Sequence, residues 1–424
     1  RFFPEPFLTC SRCAKPHIEY ELHYNCDKCS YGNWNICLNC YRAGVGCQHW
    51  FGFGKAARSK WLRLIESSGS EDLPPEAEKP HVLAANRYLA LKASPGGADG
   101  RRTLTTQDPS HRLQSGAFCS NCLAWANECY WQCNFCNEGD WGFCNTCVNQ
   151  GKCCTHPLLP LSYNVNGSDT PSTSQLSVQN TSSATVITAP RVDAFGQFKP
   201  LTFQTVCDIC RYPIQPNAPR YHCFSCTSAP PHQQLPSEPG DYDICTTCYS
   251  KLEASNRIST ENGHKGWRRC LLGHRMIVVR FEACHGRYHR IILNDLVGGR
   301  LLKEESFQSF GEPSVELRRW TWSDGMKARV VTTDVKCTVR PSSPNATKFP
   351  PDGGPGITAL ALWSWYPMEG VLDELLFPRG AELKEIVDVN GYWYYGVYMG
   401  AQGLFPSTYV KMLTMDGGGE RRLS

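Results

Sequence analysis

The chain has 424 residues, with 43 Lys and Arg against 39 Asp and Glu, a formal net charge of +4, and 25 cysteines. A balance this close to neutral, with no run of five or six basic residues, does not mark a nucleic-acid binder by charge alone. No stretch of eighteen apolar residues occurs, so no membrane-spanning helix is expected, and the length predicts three to five domains.

The opening Arg1-Phe2-Phe3-Pro4 has no basic segment followed by an apolar one, so no secretory leader is expected. The dominant pattern starts at residue 10. Cys10/Cys13, Cys26/Cys29 and Cys37/Cys40 are C-x2-C pairs, and Cys47 and His49 follow them. Two thiolates three positions apart can grip one metal ion from a tight turn, and two such pairs complete a tetrahedral zinc site. Eight ligands suffice for two zinc ions, which defines module one at 5–54. Residues 55–111 are expected to be linker. Ala57, Trp61 and Ile65 stand at helical spacing within it, which predicts a short helix packing back on module one. A basic amphipathic helix for a membrane surface or partner is the alternative. A second short helix is expected near Val82–Lys92.

Module two, at 112–162, repeats the pattern with Cys119/Cys122, Cys133/Cys136, Cys144/Cys147 and then Cys154 and His156. Seven residues separate the second and third pairs in both modules, and six separate the third pair from the closing one. That register selects Cys154, with its neighbour Cys153 as the alternative ligand. Residues 163–199 are Ser/Thr-rich and read as flexible linker. Module three, at 200–280, holds Cys207/Cys210, Cys223/Cys226, Cys245/Cys248 and a closing Cys270 and His274. It is looser, with eighteen residues between Cys226 and Cys245, and His264 is an alternative to Cys270. Residues 281–340 are expected to be β-rich: Arg290–Leu293, Val315–Trp322, a Ser323-Asp324-Gly325 turn, Ala328–Thr332 and Val335–Val339. A Pro/Gly linker at 341–356 precedes a compact domain at 357–415 and a tail at 416–424.

Of the 25 cysteines, 21 have a ligand role, leaving Cys129, Cys153, Cys284 and Cys337. A disulfide scaffold of a secreted protein is the competing explanation, but it does not require nine C-x2-C pairs in repeated register. Modules one and two are too small for a strong hydrophobic core. Metal binding would then drive folding, contributing roughly 10–16 kcal/mol apparent per structural zinc in small peptides. Four protein ligands leave no open position, so six structural zinc ions per chain are expected, not a hydrolytic metal. Thiols kept for metal point to a reducing compartment, cytoplasmic or nuclear.

If pairs one and three share one zinc and pairs two and four the other, each module is a cross-brace, although spacing leaves the pairing open. Arg220-Tyr221-His222-Cys223, followed by Asp241-Tyr242-Asp243-Ile244-Cys245 and Cys248-Tyr249, resembles the ZZ-type zinc finger. So do Tyr24-Asn25-Cys26 with Trp34-Asn35-Ile36-Cys37, and Trp131-Gln132-Cys133 with Trp141-Gly142-Phe143-Cys144. The shared signature is an aromatic before the second pair and an aromatic-x-apolar step into the third. A RING finger, the rival cross-brace, usually closes with C-x2-C. The resemblance implies a protein-interaction module. Some ZZ fingers receive the free N-terminus of a partner on acidic side chains, which suits an ammonium with three donors. Module three carries the matching Asp208, Asp241 and Asp243. Module one has Ser11, Arg12, Asn33 and Asn35 there, and module two keeps only Asp140. The plainer alternative makes these aspartates solvated loop residues or partners of zinc ligands.

The last domain resembles the SH3 family. Ala361-Leu362-Trp363-Ser364-Trp365 stands where the family carries Ala-Leu-Tyr-Asp-Tyr, Asp373-Glu374-Leu375-Leu376-Phe377-Pro378-Arg379-Gly380 matches its next segment, and Gly391-Tyr392-Trp393-Tyr394 its tryptophan region. Gly403-Leu404-Phe405-Pro406-Ser407-Thr408-Tyr409-Val410 matches Gly-Leu-Phe-Pro-Ser-Asn-Tyr-Val closely. The resemblance implies a small five-stranded β-barrel with Leu375, Phe377, Val397 and Val410 in its core. It also implies binding of proline-rich segments on Trp363, Trp365, Trp393, Pro406 and Tyr409. Glu369, Asp373 and Glu374 would meet a ligand Arg or Lys. Two tryptophans replace the family tyrosines, so the usual hydroxyl bonds to ligand carbonyls fall to indole N–H groups.

No G-x-x-x-x-G-K-[ST], H-E-x-x-H or G-x-S-x-G motif occurs. The expected fold class is multidomain: three cross-brace fingers, a β-rich segment and an all-β barrel joined by flexible linkers. Three fingers followed by an SH3 domain resemble multidomain proteins of filamentous fungi. The expected function is a non-enzymatic adaptor for proline-rich partners and other peptides. A ubiquitin ligase with a RING-like finger is the second expectation, and a nucleic-acid-binding zinc-finger protein the third.

Overall fold

Frequent turn residues and closely spaced ligand pairs keep the elements short, and the longest strands have 9 residues. The computed structural model describes residues 3–54, 57, 60, 61, 63, 66, 81–91, 108–163, 185–188, 198–228, 239–258, 270–272, 274, 276–284, 286–294, 317–322, 327–332 and 357–413. The chain is mostly β with few helices, and it divides into two compact units. Unit one comprises Arg1–Asn127 with Glu138–Asp140, and unit two comprises Glu128–Asn137 with Trp141–Ser424. Among the described residues no helix is long and apolar enough to cross a membrane.

In unit one, strands β1 (His23–Cys26) and β2 (Trp34–Cys37) form an antiparallel hairpin between the second and third cysteine pairs. Helix α1 (Leu38–Arg42) follows directly. Strand β3 (Ala84–Tyr88) then pairs with β1, and β4 (Leu113–Ser115) pairs with β3, giving the order β2-β1-β3-β4. The short helix expected near Val82–Lys92 is therefore a strand. The exposed edge of β1 supplies backbone partners that outweigh the local helical tendency of two alanines. Between 54 and 66 the described residues are helical, as expected, while Ile65 lies outside them. The core gathers Ile18, Ile36, Tyr41 and Leu83 around Cys10, Cys26, Cys37 and Cys47.

Unit two contains a 10-stranded sheet. Module two contributes β5 (Tyr130–Cys133), β6 (Trp141–Cys144) and β7 (Leu158–Tyr163), with helix α2 (Asn145–Asn149) after β6. Strand β8 (Thr185–Thr188) pairs with β9 (Phe198–Val206), and β9 also pairs with β7. Module three adds β10 (Pro213–Ile214), β11 (Arg220–Cys223), β12 (Tyr242–Cys245) and helix α3 (Thr246–Ala254). A hairpin of β13 (Met276–Cys284) and β14 (Arg287–Asn294) closes the path, since β13 pairs with β11 and Arg290 of β14 faces Leu158 of β7. Modules two and three thus share one sheet, which differs from the expected pair of separate beads on a linker at 163–199. Trp131, Phe203 and Phe281 stack at their junction, with ring centroids 5.1 to 6.2 Å apart.

The expected hairpin in the β-rich segment is present as β15 (Leu317–Trp322) paired with β16 (Lys327–Thr332), and Val335–Val339 lies outside the described residues. The C-terminal sheet has five antiparallel strands: β17 (Thr358–Ala361), β18 (Glu382–Asp388), β19 (Trp393–Tyr398), β20 (Ala401–Pro406) and β21 (Val410–Leu413). Their order is β20-β19-β18-β17-β21. Leu375, Phe377, Val397 and Val410 are buried in its core, the positions that the family resemblance implies.

Candidate metal centres and aromatic face

Each metal-binding pair is positioned by a turn or a helix start. The third pair of every module opens a short helix, with its first cysteine at the N-cap: Cys37, Cys144 and Cys245. There the helix dipole and free amides favour a thiolate. The amides of Cys147 and Cys248 donate to the sulfurs of Cys144 and Cys245, each at 3.4 Å. The second pair sits at a hairpin end, where the amides of Cys136 and Cys226 donate to Cys133 and Cys223 at 3.3 and 3.4 Å.

In modules one and three the structure brings first pairs to third pairs, and in modules one and two it brings the second pair to residues beyond the third. In unit one Cys10, Cys13, Cys37 and Cys40 form one tetrad, with 3.8 Å between Cys10 and Cys40 sulfurs and 3.7 Å between Cys13 and Cys37. In unit two Cys207, Cys210, Cys245 and Cys248 form another, and Cys133, Cys136, Cys154 and His156 a third. His156 Nδ1 lies 3.6 and 3.4 Å from the sulfurs of Cys133 and Cys136. Zinc–sulfur arms of about 2.3 Å at tetrahedral angles put sulfurs about 3.8 Å apart, and a nitrogen arm of about 2.0 Å puts sulfur and nitrogen about 3.5 Å apart. The observed spacings match that tetrahedron and are far beyond a disulfide's roughly 2.05 Å. Burial pushes the Cys47 thiol up to about 12 and raises that of Cys40 as well, so these crowded sulfurs ionise readily only around a cation. The donor sets suit zinc. In module two the first pair, Cys119 and Cys122, belongs to unit one, and the third, Cys144 and Cys147, to unit two.

At two positions left open by spacing, the geometry brings Cys154 and Cys270 to the sites. Cys154 joins the tetrad, while Cys153 is buried and interacts with Arg290. Cys270 sits 3.6 Å from both Cys226 Sγ and His274 Nδ1, His274 Nδ1 lies 3.3 Å from Cys226 Sγ, and Cys223 interacts with Cys226 and Cys270. His264 lies outside the described residues.

One ligand is corrected. The fourth donor with Cys26, Cys29 and Cys47 is His81, not His49. His81 Nδ1 lies 3.4, 3.3 and 3.5 Å from those sulfurs. His49 instead packs its ring on His81, centroids 4.7 Å apart, and its carbonyl accepts from the His81 amide at 3.0 Å. Pairing of β3 with β1 carries His81 back to the site, and Leu83 anchors the approach in the core. The only sequence signal for this was a lone histidine just before the short apolar run Val82–Ala85.

The three aspartates of module three come together around Ser228. Asp208 accepts from the Asp243 amide at 2.8 Å and from the Ser228 hydroxyl, and it pairs with Arg211 at 3.2 Å. Asp243 is buried against Arg220 Nε at 3.2 Å and His222 Nδ1 at 3.0 Å. Burial works to push its pKa up, but the Arg220 guanidinium and the contact with His222 outweigh it and hold the carboxyl below the usual range. Asp241 accepts from the Ser228 amide through Oδ1, while its buried Oδ2 has no hydrogen-bond partner among the described residues. Burial, with Asp208 nearby, pushes the Asp241 carboxyl up to about 7. It lines a cavity of about 30 Å³ with Trp131, Phe203, Thr205, Arg220 and Arg290, enough for about one or two waters.

On the C-terminal sheet, Trp363 is exposed, and Trp365, Trp393, Pro406 and Tyr409 are half-buried. Trp365 meets Trp393 and Tyr409 edge-on, at centroid distances of 6.1 and 5.0 Å. The loop between β17 and β18 is pinned by the Trp365–Phe377 bridge and by mutual backbone bonds between these residues. Glu369 and Asp373 are exposed beside it, and Glu374 is half-buried. Burial and the Asp373 charge raise the Glu374 carboxyl above its ordinary value. A scan of the chain against protein-family models gives no match, and a search of curated proteins gives none either.

Proposed function

We propose that this protein is a non-enzymatic adaptor: zinc serves as architecture, and separate surfaces take segments of other proteins. The observation that carries the proposal is the aromatic face of the C-terminal sheet. Trp365, Trp393 and Tyr409 stand side by side above a buried core without being absorbed into it. An SH3 domain uses such a face for proline-rich segments, whose polyproline II backbone is already extended and loses little entropy on docking. Exposed Glu369 and Asp373 would receive a basic residue flanking the prolines. The strand order and the buried Leu375, Phe377, Val397 and Val410 fit the same fold.

The cysteine modules fit ZZ-type fingers, six zinc ions in all. The aromatic before the second pair stacks on the one after the third: Tyr24 on Tyr41 at 3.4 Å and Tyr221 on Tyr249 at 3.7 Å. In module three, Asp241 is the acceptor best placed for a partner's N-terminal ammonium, since Asp208 and Asp243 are spent on internal bonds. Titration with a proline-rich peptide bearing a basic flank tests the main proposal. Trp393→Ala should weaken binding about 30-fold, the cost of about 2 kcal/mol typical of an aromatic hot spot, with zinc content unchanged. Equal affinity in the variant would remove this face from the account.

A further inference from the structure

Within unit two, the C-terminal sheet reaches into the metal shell of module two. His156 offers Nδ1 to the thiols of Cys133 and Cys136, so with metal bound its remaining N–H is on Nε2 and needs an acceptor. The group opposite Nε2 is Glu382 Oε1 of β18, 3.7 Å away, and the two side chains are only 6% and 13% exposed. That carboxylate is fixed by Lys384 Nζ at 2.6 Å and by the Thr155 hydroxyl at 3.5 Å. A second residue of the sheet, the fully buried Tyr398, donates its hydroxyl to Cys136 Sγ at 3.3 Å. The Asn137 amide next door donates to the Arg379 carbonyl at 2.8 Å. Gly380, at φ +79°, lies so close to the Phe135 carbonyl that a Cβ there would overlap it. Phe135 in turn stacks on His156, centroids 4.9 Å apart.

We propose that Glu382 and Tyr398 are outer-sphere partners of the module-two metal, and that loading this site is what holds the C-terminal sheet against module two. The proposal rests on the zinc assignment of the Cys133, Cys136, Cys154 and His156 tetrad. Metal on Nδ1 fixes the imidazole proton on Nε2, aimed at Glu382. It also keeps Cys136 as a thiolate, a stronger acceptor for the Tyr398 hydroxyl than a thiol. Remove the ion and both contacts lose their charge assistance at a site too dry for water to replace it. The aromatic face is built from other residues, Trp363, Trp365, Trp393, Pro406 and Tyr409, so docking fixes its position without using it. A freely tethered peptide-binding domain would have no need of these contacts.

The test uses the full chain with Glu382→Gln and Tyr398→Phe, each conservative in size. Zinc release to a chromophoric chelator is followed together with hydrogen exchange at the Asn137 amide. Outer-sphere substitutions typically cost 10–100-fold in metal affinity. One zinc ion should therefore leave about 10–100-fold more easily in each variant while the others are unaffected. Asn137 should lose protection in step with that ion, in wild type as well. A cobalt-substituted chain should show the change in the bands of its mixed thiolate–imidazole sites and not in those of its all-thiolate sites. Wild-type release kinetics in both variants, or an Asn137 amide that stays protected after that ion has gone, would overturn the proposal while leaving the zinc assignment intact. A natively folded wild-type chain with no metal at this tetrad would overturn both.

Discussion

His49 and His81 separate what spacing can decide from what it cannot. Cys47 and His49 repeat the closing register of Cys154 and His156, so a rule built on spacing selects His49. The position is instead filled from 34 residues beyond Cys47, because backbone pairing delivers His81 and leaves His49 to pack on its ring. His81→Ala should lower zinc content by about one ion per chain, and His49→Ala should leave it unchanged; metal analysis of the purified variants distinguishes them, and loss of an ion only in His49→Ala would reverse the assignment. Asp241 offers a second test at this scale. Its carboxyl is raised from 3.8 to about 7, so the protonated form is the one the fold accommodates. Stability from this group is complete below its unfolded value, declines as pH climbs towards 7, and is flat above. Asp241→Asn carries no such charge, so its thermal stability relative to wild type should improve between pH 6 and 7 by about 1 kcal/mol, then stop changing. A constant offset across that range would show that Asp241 does not titrate there. Neither role was open to sequence reasoning alone: Asp208, Asp241 and Asp243 could be grouped by motif, but which oxygen stays unpartnered depends on where Ser228 folds back.

Elements were legible wherever ligand spacing and side-chain pattern act locally. Each second and third pair is joined by a hairpin, β1–β2, β5–β6 and β11–β12, which the repeated order of the pairs marks as equivalent in the three modules without naming its structure. The helix after each third pair follows from a cysteine at its N-cap. In the C-terminal sheet, the family resemblance marked Leu375, Phe377, Val397 and Val410 as buried positions, and the Asp324-Gly325 step marked the β15–β16 hairpin. What failed was β3. Ala84–Tyr88 has no strong strand composition, and it becomes a strand because β1 offers an unpaired edge and β4 covers its other side. The same reason hid the role of β13 and β14. The apolar run Arg290–Leu293 predicted a strand within β14, but β13 was not expected, and only tertiary contact shows that β13 extends module three while β14 reaches β7 of module two. Register between distant strands has no local signature when both faces are covered.

At the scale of the molecule, the shared sheet changes how an adaptor of this kind would work. Modules on loose tethers gain avidity through an effective concentration set by linker length. Modules two and three instead share backbone pairing between Leu161–Tyr163 and Phe198–Pro200, and they bury Trp131 against Phe203 and Phe281. If both modules bind as proposed, the spacing of their surfaces is then fixed by the sheet, and a partner would have to match it or forgo the second contact. Such a joint should not depend on the covalent connection between β7 and β8. A protease site introduced between residues 164 and 184, cut to completion, should leave the two pieces eluting together by gel filtration and melting in a single transition. The interface they retain includes main-chain hydrogen bonds and an apolar stack, both lost only on local unfolding. Two separate peaks would mean that the β7–β9 pairing is too weak to hold the modules, and would return them to the status of independent beads.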